Sequence, residues 1–352
     1  HVVVHDGAVQ LDDAELRSIV AGLFEQRLDR SRPLWQMDVL PGLAGNRSAV
    51  IWRVHHALAD GATVMRLASA VLWDEELDAG PGRGKPPVES SQAREKSARR
   101  HAPPAISSVL REAPQPWHRS PFDGHIGSQR SVAFATAGLG DLRRVAAATG
   151  AATVNDAVLT VVAGGLRRWL EAGHGHLGSV RVKIPVSLHG TALGSGDDRH
   201  EPGNRDSFFC VDLPLGSADP IDRLRAIRRA TRSRKDGHDA QRLDALMREL
   251  GHVSPRLRQF ADRALAHPRS FALNVSNVPG PRRPVQVLGL AVRSCHSLAE
   301  IRERHALRIA VMSLADTINF GLCADPTLIA DVDVLADQMQ AEAAVLADCA
   351  PD

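Results

Sequence analysis

Two histidines, an aspartate and a glycine stand together in the run His55-His56-Ala57-Leu58-Ala59-Asp60-Gly61. An alcohol hydroxyl is a poor nucleophile at neutral pH, and a neutral imidazole within hydrogen-bond reach can take its proton as it attacks a carbonyl. A thioester suits such a one-base device, because the departing thiolate is stable and needs little help from an acid. His56 is the candidate general base. The chain has no Gly-x-Ser-x-Gly elbow and no cysteine beside the His55-His56 run, so direct transfer is expected rather than an acyl-enzyme. Asp60 has two readings: it orients the imidazole as in a triad, or it turns away to pair with an arginine and hold the loop. The plain alternative for His55 and His56 is that they end a buried strand with their hydrogen bonds satisfied.

The elements around this run place it at a junction. A helix is expected over 12–28, where Asp12 and Asp13 open a stretch in which Leu16, Ile19, Val20, Leu23 and Phe24 recur at helical spacing. Strands are expected at 35–40 and 48–54, joined by a turn at 42–46, and a helix from Gly61 to about Trp73. The histidines and Asp60 therefore lie where a strand hands over to a helix, and helix N-terminal amides face the same space.

Residues 78–130 carry Pro81, Pro86, Pro87, Pro103, Pro104, Pro114, Pro116 and Pro121 among Gly, Ser and Arg, and read as a linker or crossover. Beyond it, strands are expected near 131–136, 180–188, 206–213, 271–276, 285–292, 306–312 and 317–323. Helices are expected from Asp141, after Asn155-Asp156, in pieces over 219–265, and over 328–348. The pattern predicts an α/β chain (α+β type) of two lobes. Residues 1–77 form the remainder of an N-terminal lobe that carries the histidine run, and 131–352 form a C-terminal lobe. A site between lobes is the default place for ligands.

Composition narrows the function classes. A net charge of +2 over 352 residues gives no reason to expect nucleic acid as a partner. The basic residues are almost all arginine, with Lys85, Lys96, Lys183 and Lys235 the four lysines. Cys210, Cys295, Cys323 and Cys349 form no CxxC pair, which fits a reducing, cytoplasmic compartment and offers no metal set. The dense apolar run at 157–166 is about half of the roughly 20 residues that cross a bilayer. The chain opens on His1 and a strand-like Val2-Val3-Val4 without methionine, so preceding N-terminal sequence is expected.

Seven pieces in order now carry a resemblance: Arg32-Pro33-Leu34-Trp35, His55 to Gly61, Thr153-Val154-Asn155-Asp156, Pro185-Val186-Ser187, Gly203-Asn204-Arg205, Ser276-Asn277-Val278-Pro279-Gly280-Pro281 and Phe320-Gly321-Leu322. Together they make the chain similar, over nearly its whole length, to the bacterial wax ester synthase/diacylglycerol acyltransferase family of the coenzyme A-dependent acyltransferase superfamily, with an N-terminal truncation. The resemblance implies a two-lobed fold with mixed sheets and an inter-lobe tunnel. Acyl-coenzyme A enters as co-substrate with no further cofactor and no metal, and diacylglycerol or a long-chain alcohol enters as acceptor. The implied products are triacylglycerols or wax esters. The implied setting is a membrane or lipid-droplet surface, with a peripheral position on the inner face of the plasma membrane.

By the same resemblance His55, His56, Asp60 and Gly61 form the catalytic run, Asn155 and Asp156 lie near the active centre, and Pro33, Leu34 and Trp35 shape a substrate channel. Each has a plainer rival. Asn155-Asp156 also look like a helix N-cap, Trp35 like core, and 277–281 like a rigid turn in which Ser276 or Asn277 alternatively stabilises a carbonyl oxygen. Two positions depart from the family pattern: Arg304 stands where it has Gly before a His, and Arg308 where Asn is frequent. The rival functions are a condensation-domain-like or polyketide-associated acyltransferase acting on carrier-protein thioesters, and a degenerate lipid-binding homologue.

Overall fold

A computed structural model describes residues 1–7, 10–74, 111–115, 120–150, 152–187 and 206–350. Most of the Pro-rich stretch and the Gly203-Asn204-Arg205 piece lie outside these residues.

The first lobe is a small sheet with a helix at its side. Strand β1 (Val2–Val4) runs parallel to β2 (Trp35–Leu43), which pairs antiparallel with β3 (Arg47–Val54). Helix α1 (Asp13–Glu25) starts on a capping box: Asp12 accepts from the amides of Ala14 and Glu15, and Glu15 accepts from the amide of Asp12. Arg53 ties the helix to the sheet, donating to the carbonyl of Leu23 at 2.8 Å and pairing with the buried Asp38 at 3.3 Å. Helix α2 (Gly61–Val71) follows β3 after six residues.

The second lobe is built on a six-stranded mixed sheet. It takes β4 (Ser131–Gly138), β5 (Ser179–Ser187), β6 (Asp206–Pro214), β7 (Leu273–Val278), β10 (Leu307–Leu314) and β11 (Thr317–Ala324) in the order β4-β11-β10-β7-β5-β6. Strand β7 runs parallel to both neighbours, β5 and β10, and the outer pairs are antiparallel.

Alternation along these strands gives the sheet two different faces. Ala133, Val182, Val211, Val275, Ile309 and Phe320 point into the main core. There they meet α3 (Leu139–Ala148), α4 (Val154–Trp169), α5 (Pro220–Asp236) and, over the far strands, α8 (Val332–Asp348). Helix α4 is apolar on every side and is buried on every side from Asp156 to Leu166. Helices α6 (Asp239–Val253) and α7 (Pro255–Leu265) complete the lobe. The opposite face carries the residues between, among them Phe134, Lys183, Asn274, Ser276 and Arg308, and looks toward the first lobe.

Two expectations shift. The single strand expected at 285–292 is instead a hairpin of β8 (Gln286–Val287) and β9 (Leu290–Ala291), because Leu288 and Gly289 both take positive φ (52° and 76°) and turn the chain. The described part of the expected linker is fastened to the second lobe. Glu112 is buried against Arg181 and Arg234 and accepts from the amide of Cys210, and Phe122 belongs to the main core.

The Asn155-Asp156 pair sits inside the first turn of α4, and Thr153 is its N-cap. Asp156 closes the capping box from the third helical position. Its carboxylate accepts from the amide and hydroxyl of Thr153 at 2.7 and 2.8 Å and from the Thr231 hydroxyl of α5 at 2.6 Å. Asp156→Ala removes the acceptor that closes the capping box and that meets the buried Thr231 hydroxyl, and is expected to lower stability by about 1–3 kcal/mol. Urea unfolding followed by circular dichroism measures it; an unchanged midpoint would contradict the role.

Candidate active site

Backbone hydrogen bonds set the histidine run in a tight turn at the end of β3. The His55 amide donates to the carbonyl of Leu34 at 2.9 Å, and the His55 carbonyl accepts from the amide of Leu58 at 2.8 Å, which puts His56 and Ala57 at the centre of a β-turn. The His55 ring is used locally: its Nδ1 accepts from the Ala57 amide at 3.1 Å. His56 is solvent-exposed and lines the cleft between the two lobes, as does His55.

Asp60 is 2% exposed, and its Oδ1 accepts from the Thr63 amide at 2.7 Å as the N-cap of α2. This hydrogen bond ties the loop to the first turn of α2 through a backbone amide. Gly61 is the point where the loop meets the second lobe. A Cβ built there would lie 2.7 Å from Cγ2 of Val278 on β7, closer than any side chain can stand. A cap and a missing side chain thus bring the turn down onto the second sheet.

The cleft has a volume of about 2050 Å³ and is lined from both lobes. His55, His56, Asp60 and Gly61 come from the first lobe, and Asn274, Ser276, Asn277 and Val278 from β7 of the second. Ser276 and Val278 share the cleft face of β7, and the Ser276 hydroxyl has no hydrogen-bond partner among the described residues. Asn277 points the other way at the cleft edge, where its Nδ2 donates to Oδ1 of Asn155 at 3.3 Å. Asn155 therefore touches the site through Asn277, while Asp156 belongs to the core of the helix start.

Pro33, Leu34 and Trp35 are not among the lining residues. Leu34 holds the His55 amide, and Trp35 pairs with Val54 across β2 and β3 and lies against His1 with ring centroids 4.8 Å apart. Through the Leu34 carbonyl this segment supports the histidine turn.

Two further cleft residues, His296 and Lys183, were not singled out from the sequence, and Arg308, met there as a departure from the family pattern, joins them. His296 lies 4.4 Å from the Phe134 ring, its Nδ1 3.4 Å from the Phe320 carbonyl, and burial holds its pKa below the usual histidine range. Lys183 stands over the Phe208 ring at 3.9 Å, and Arg308 donates to the Glu300 carbonyl at 3.2 Å. One signal pointed to the last two: each is a cation alternating with apolar residues in a strand, Val182-Lys183-Ile184 and Leu307-Arg308-Ile309. The cleft thiols are poor nucleophiles, because burial raises the pKa of Cys295, and that of Cys323 on the same sheet face is pushed up to about 12.

A histidine turn of one lobe thus faces the open side of the mixed sheet in the other. The comparisons agree on the fold. A wax ester synthase/diacylglycerol acyltransferase from Marinobacter aquaeolei VT8 superposes with a TM-score of 0.68 at 22% identity, covering 98% of this chain and 78% of that one. The first condensation domain of the CDA synthetase follows at 0.57 and 17%, covering 100% and 76%.

The sequence comparisons then give the family. The wax ester synthase/diacylglycerol acyltransferase catalytic domain matches residues 11–115, and the C-terminal domain of the same family matches residues 202–346. A Mycobacterium tuberculosis protein named as a diacylglycerol O-acyltransferase is 31% identical over 95% of this chain and 72% of its own length. A second from that organism, tgs1, is 28% identical over 92% and 74%. This chain belongs to the wax ester synthase/diacylglycerol acyltransferase family and is an acyltransferase.

Proposed function

We propose that the protein transfers a long-chain acyl group from acyl-coenzyme A to the hydroxyl of diacylglycerol or a long-chain alcohol, with His56 as general base. The reading is carried by the turn that holds His56 at the cleft while Asp60 and Gly61 fasten it to α2 and β7. The neutral His56 imidazole accepts the hydroxyl proton as the alcohol oxygen attacks the thioester carbonyl. The tetrahedral intermediate then collapses, the carbon–sulfur bond breaks, and the departing thiolate takes the proton back from the imidazolium. Ser276, with its hydroxyl uncommitted on the cleft face, is the better placed of the two candidates to donate to the developing oxyanion, since Asn277 is engaged with Asn155. The raised thiol pKa values of Cys295 and Cys323 favour direct transfer over an acyl-enzyme.

Release of coenzyme A from palmitoyl-coenzyme A, measured with hexadecanol or with diacylglycerol, tests the reading. The natural sequence is expected to show acceptor-dependent release, and His56→Ala to lose about 100-fold or more of it. Release that survives the substitution removes His56 as the base. Transfer only to an amine or a carrier-protein-bound acceptor would favour the condensation-domain-like alternative.

The substrates are poorly soluble, and a surface for meeting them lies beside the cleft. Among the described residues no helix is long and apolar enough to cross a membrane. Yet Val253, Leu257 and Phe260 stand 77%, 50% and 72% exposed where α6 passes into α7, next to the exposed Arg256 and Arg258. Helix α7 is capped at its C-terminus by Ala266, which lines the cleft. Apolar side chains flanked by arginines suit the interface of an anionic bilayer. The protein is therefore expected to co-sediment with phosphatidylglycerol vesicles at low salt, and Leu257→Ser with Phe260→Ser to release most of it. Natural protein that stays in the supernatant would end this part of the reading.

A further inference from the structure

The register of the large sheet brings three polar residues into one row on the cleft face. Lys183 of β5 is paired with Asn274 of β7, and Asn274 in turn with Arg308 of β10. Adjacent strands lie roughly 4.8 Å apart, so the two cations stand about 10 Å from each other at the backbone, with Asn274 between them. All three line the cleft.

Among the described residues no carboxylate forms an ion pair with Lys183 or Arg308. Among the described residues Lys183 meets the Phe208 and Phe271 rings, at 3.9 and 5.2 Å, and Arg308 meets a backbone carbonyl. Three acids lie nearby without a carboxylate contact to either cation: Glu300 and Glu303, which also line the cleft, and Asp262, which lies 3.8 Å from Nε of Arg258. Glu300 accepts from Nε of Arg130 at 2.7 Å, and the exposed Glu303 lies 4.0 Å from Nε2 of His305. The thiols that extend the row, Cys210 beyond Lys183 and Cys323 beyond Arg308, stay protonated because burial raises both.

Two atoms of the row are also buried without a hydrogen-bond partner: Nε of Arg308 and Oδ1 of Asn274. A half-turn of the Asn274 amide exchanges its oxygen for its NH₂, so the row can offer donors from all three side chains to one ligand. Burial holds the pKa values of the two cations below their usual ranges, with Arg308 adding to the shift at Lys183 and Arg302 to that at Arg308, a cost that a bound anion offsets.

We propose that Lys183, Asn274 and Arg308 form an oxyanion-binding subsite on the cleft floor that takes a carboxylate or phosphate carried by the acyl acceptor, at the end remote from its reacting hydroxyl. The inference rests on the transfer reaction proposed above. Asn274 and Val278 lie on the same face of β7 four residues apart, which puts the row roughly 13 Å along the strand from the contact with Gly61. That spacing suits an extended alkyl chain with a hydroxyl at one end and an oxyanion at the other. The flanking Phe208 and Phe271 suit the chain itself.

Calorimetry without acyl-coenzyme A tests binding apart from turnover, with ω-hydroxylaurate and dodecanol as probes of equal length. The natural protein is expected to bind the hydroxy acid at least about tenfold more tightly than the alcohol, and Lys183→Met and Arg308→Met each to remove that preference. Removing an unpaired buried cation in favour of an apolar side chain relieves desolvation, so both variants are expected to fold with an unchanged or raised melting temperature. Equal binding of the two probes, or a preference that survives both substitutions, would overturn the proposal. Steady-state kinetics supply the second arm. If the variants raise the KM for palmitoyl-coenzyme A and leave the hydroxy acid untouched, the oxyanion is one of the coenzyme and the acceptor assignment is overturned. If no alcohol is acylated while the binding preference holds and is lost in the variants, the subsite stands and the transfer reading falls.

Discussion

The contact of Gly61 with Val278 is the constraint on which the site depends. A base in one lobe is useful only if its turn comes close to the sheet of the other, and that approach is possible because position 61 has no side chain. Asp60 supplies the other half of the arrangement by capping α2, so the turn is held by a hydrogen bond on one side and by steric fit on the other. The two lobes also share a small core, in which Val20 and Ala21 of α1 pack with Val132 of β4. That core sets the lobes against each other, and the Gly61 contact sets the turn.

The large sheet divides its work between its faces. One face is closed by helices and carries the bulk of the buried apolar surface, which stabilises the lobe through burial of side chains such as Val182, Ile309 and Phe320. The other face is left open to the first lobe. It keeps polar and charged residues at alternate positions that would be intolerable on the helix side. The rigidity of the covered face is what allows Ser276, Asn274, Lys183 and Arg308 to be held in register on the open one.

Much of this was legible in the sequence. Helix α1 announced itself through Asp12 and its helical spacing, the β3-to-α2 junction through the histidine run, and α4 through an unbroken apolar stretch. The parts that were not legible have physical reasons. Leu288-Gly289 turns the chain inside what reads as one strand, because Leu at a positive φ leaves no mark in a run of apolar residues. Asn155-Asp156 read as a cap, and Asp156 does close the capping box, while the N-cap residue itself is Thr153, two residues before Asn155. The Pro33-Leu34-Trp35 segment supports the site through its backbone, which residue types do not reveal. The Lys183–Asn274–Arg308 row joins residues far apart in the chain, and only the parallel register of β5, β7 and β10 brings them together.

A double-mutant cycle on Gly61 and Val278 tests the central claim most directly, with the rate of acceptor-dependent coenzyme A release as readout. Gly61→Ala alone is expected to slow transfer about tenfold by lifting the turn from β7. Adding Val278→Ala removes the atom that the new Cβ meets and is expected to restore the rate to within about threefold of the natural protein, a coupling that independent sites do not show. Additive losses in the double variant would contradict the account, because the position of the histidine turn would then not depend on this contact.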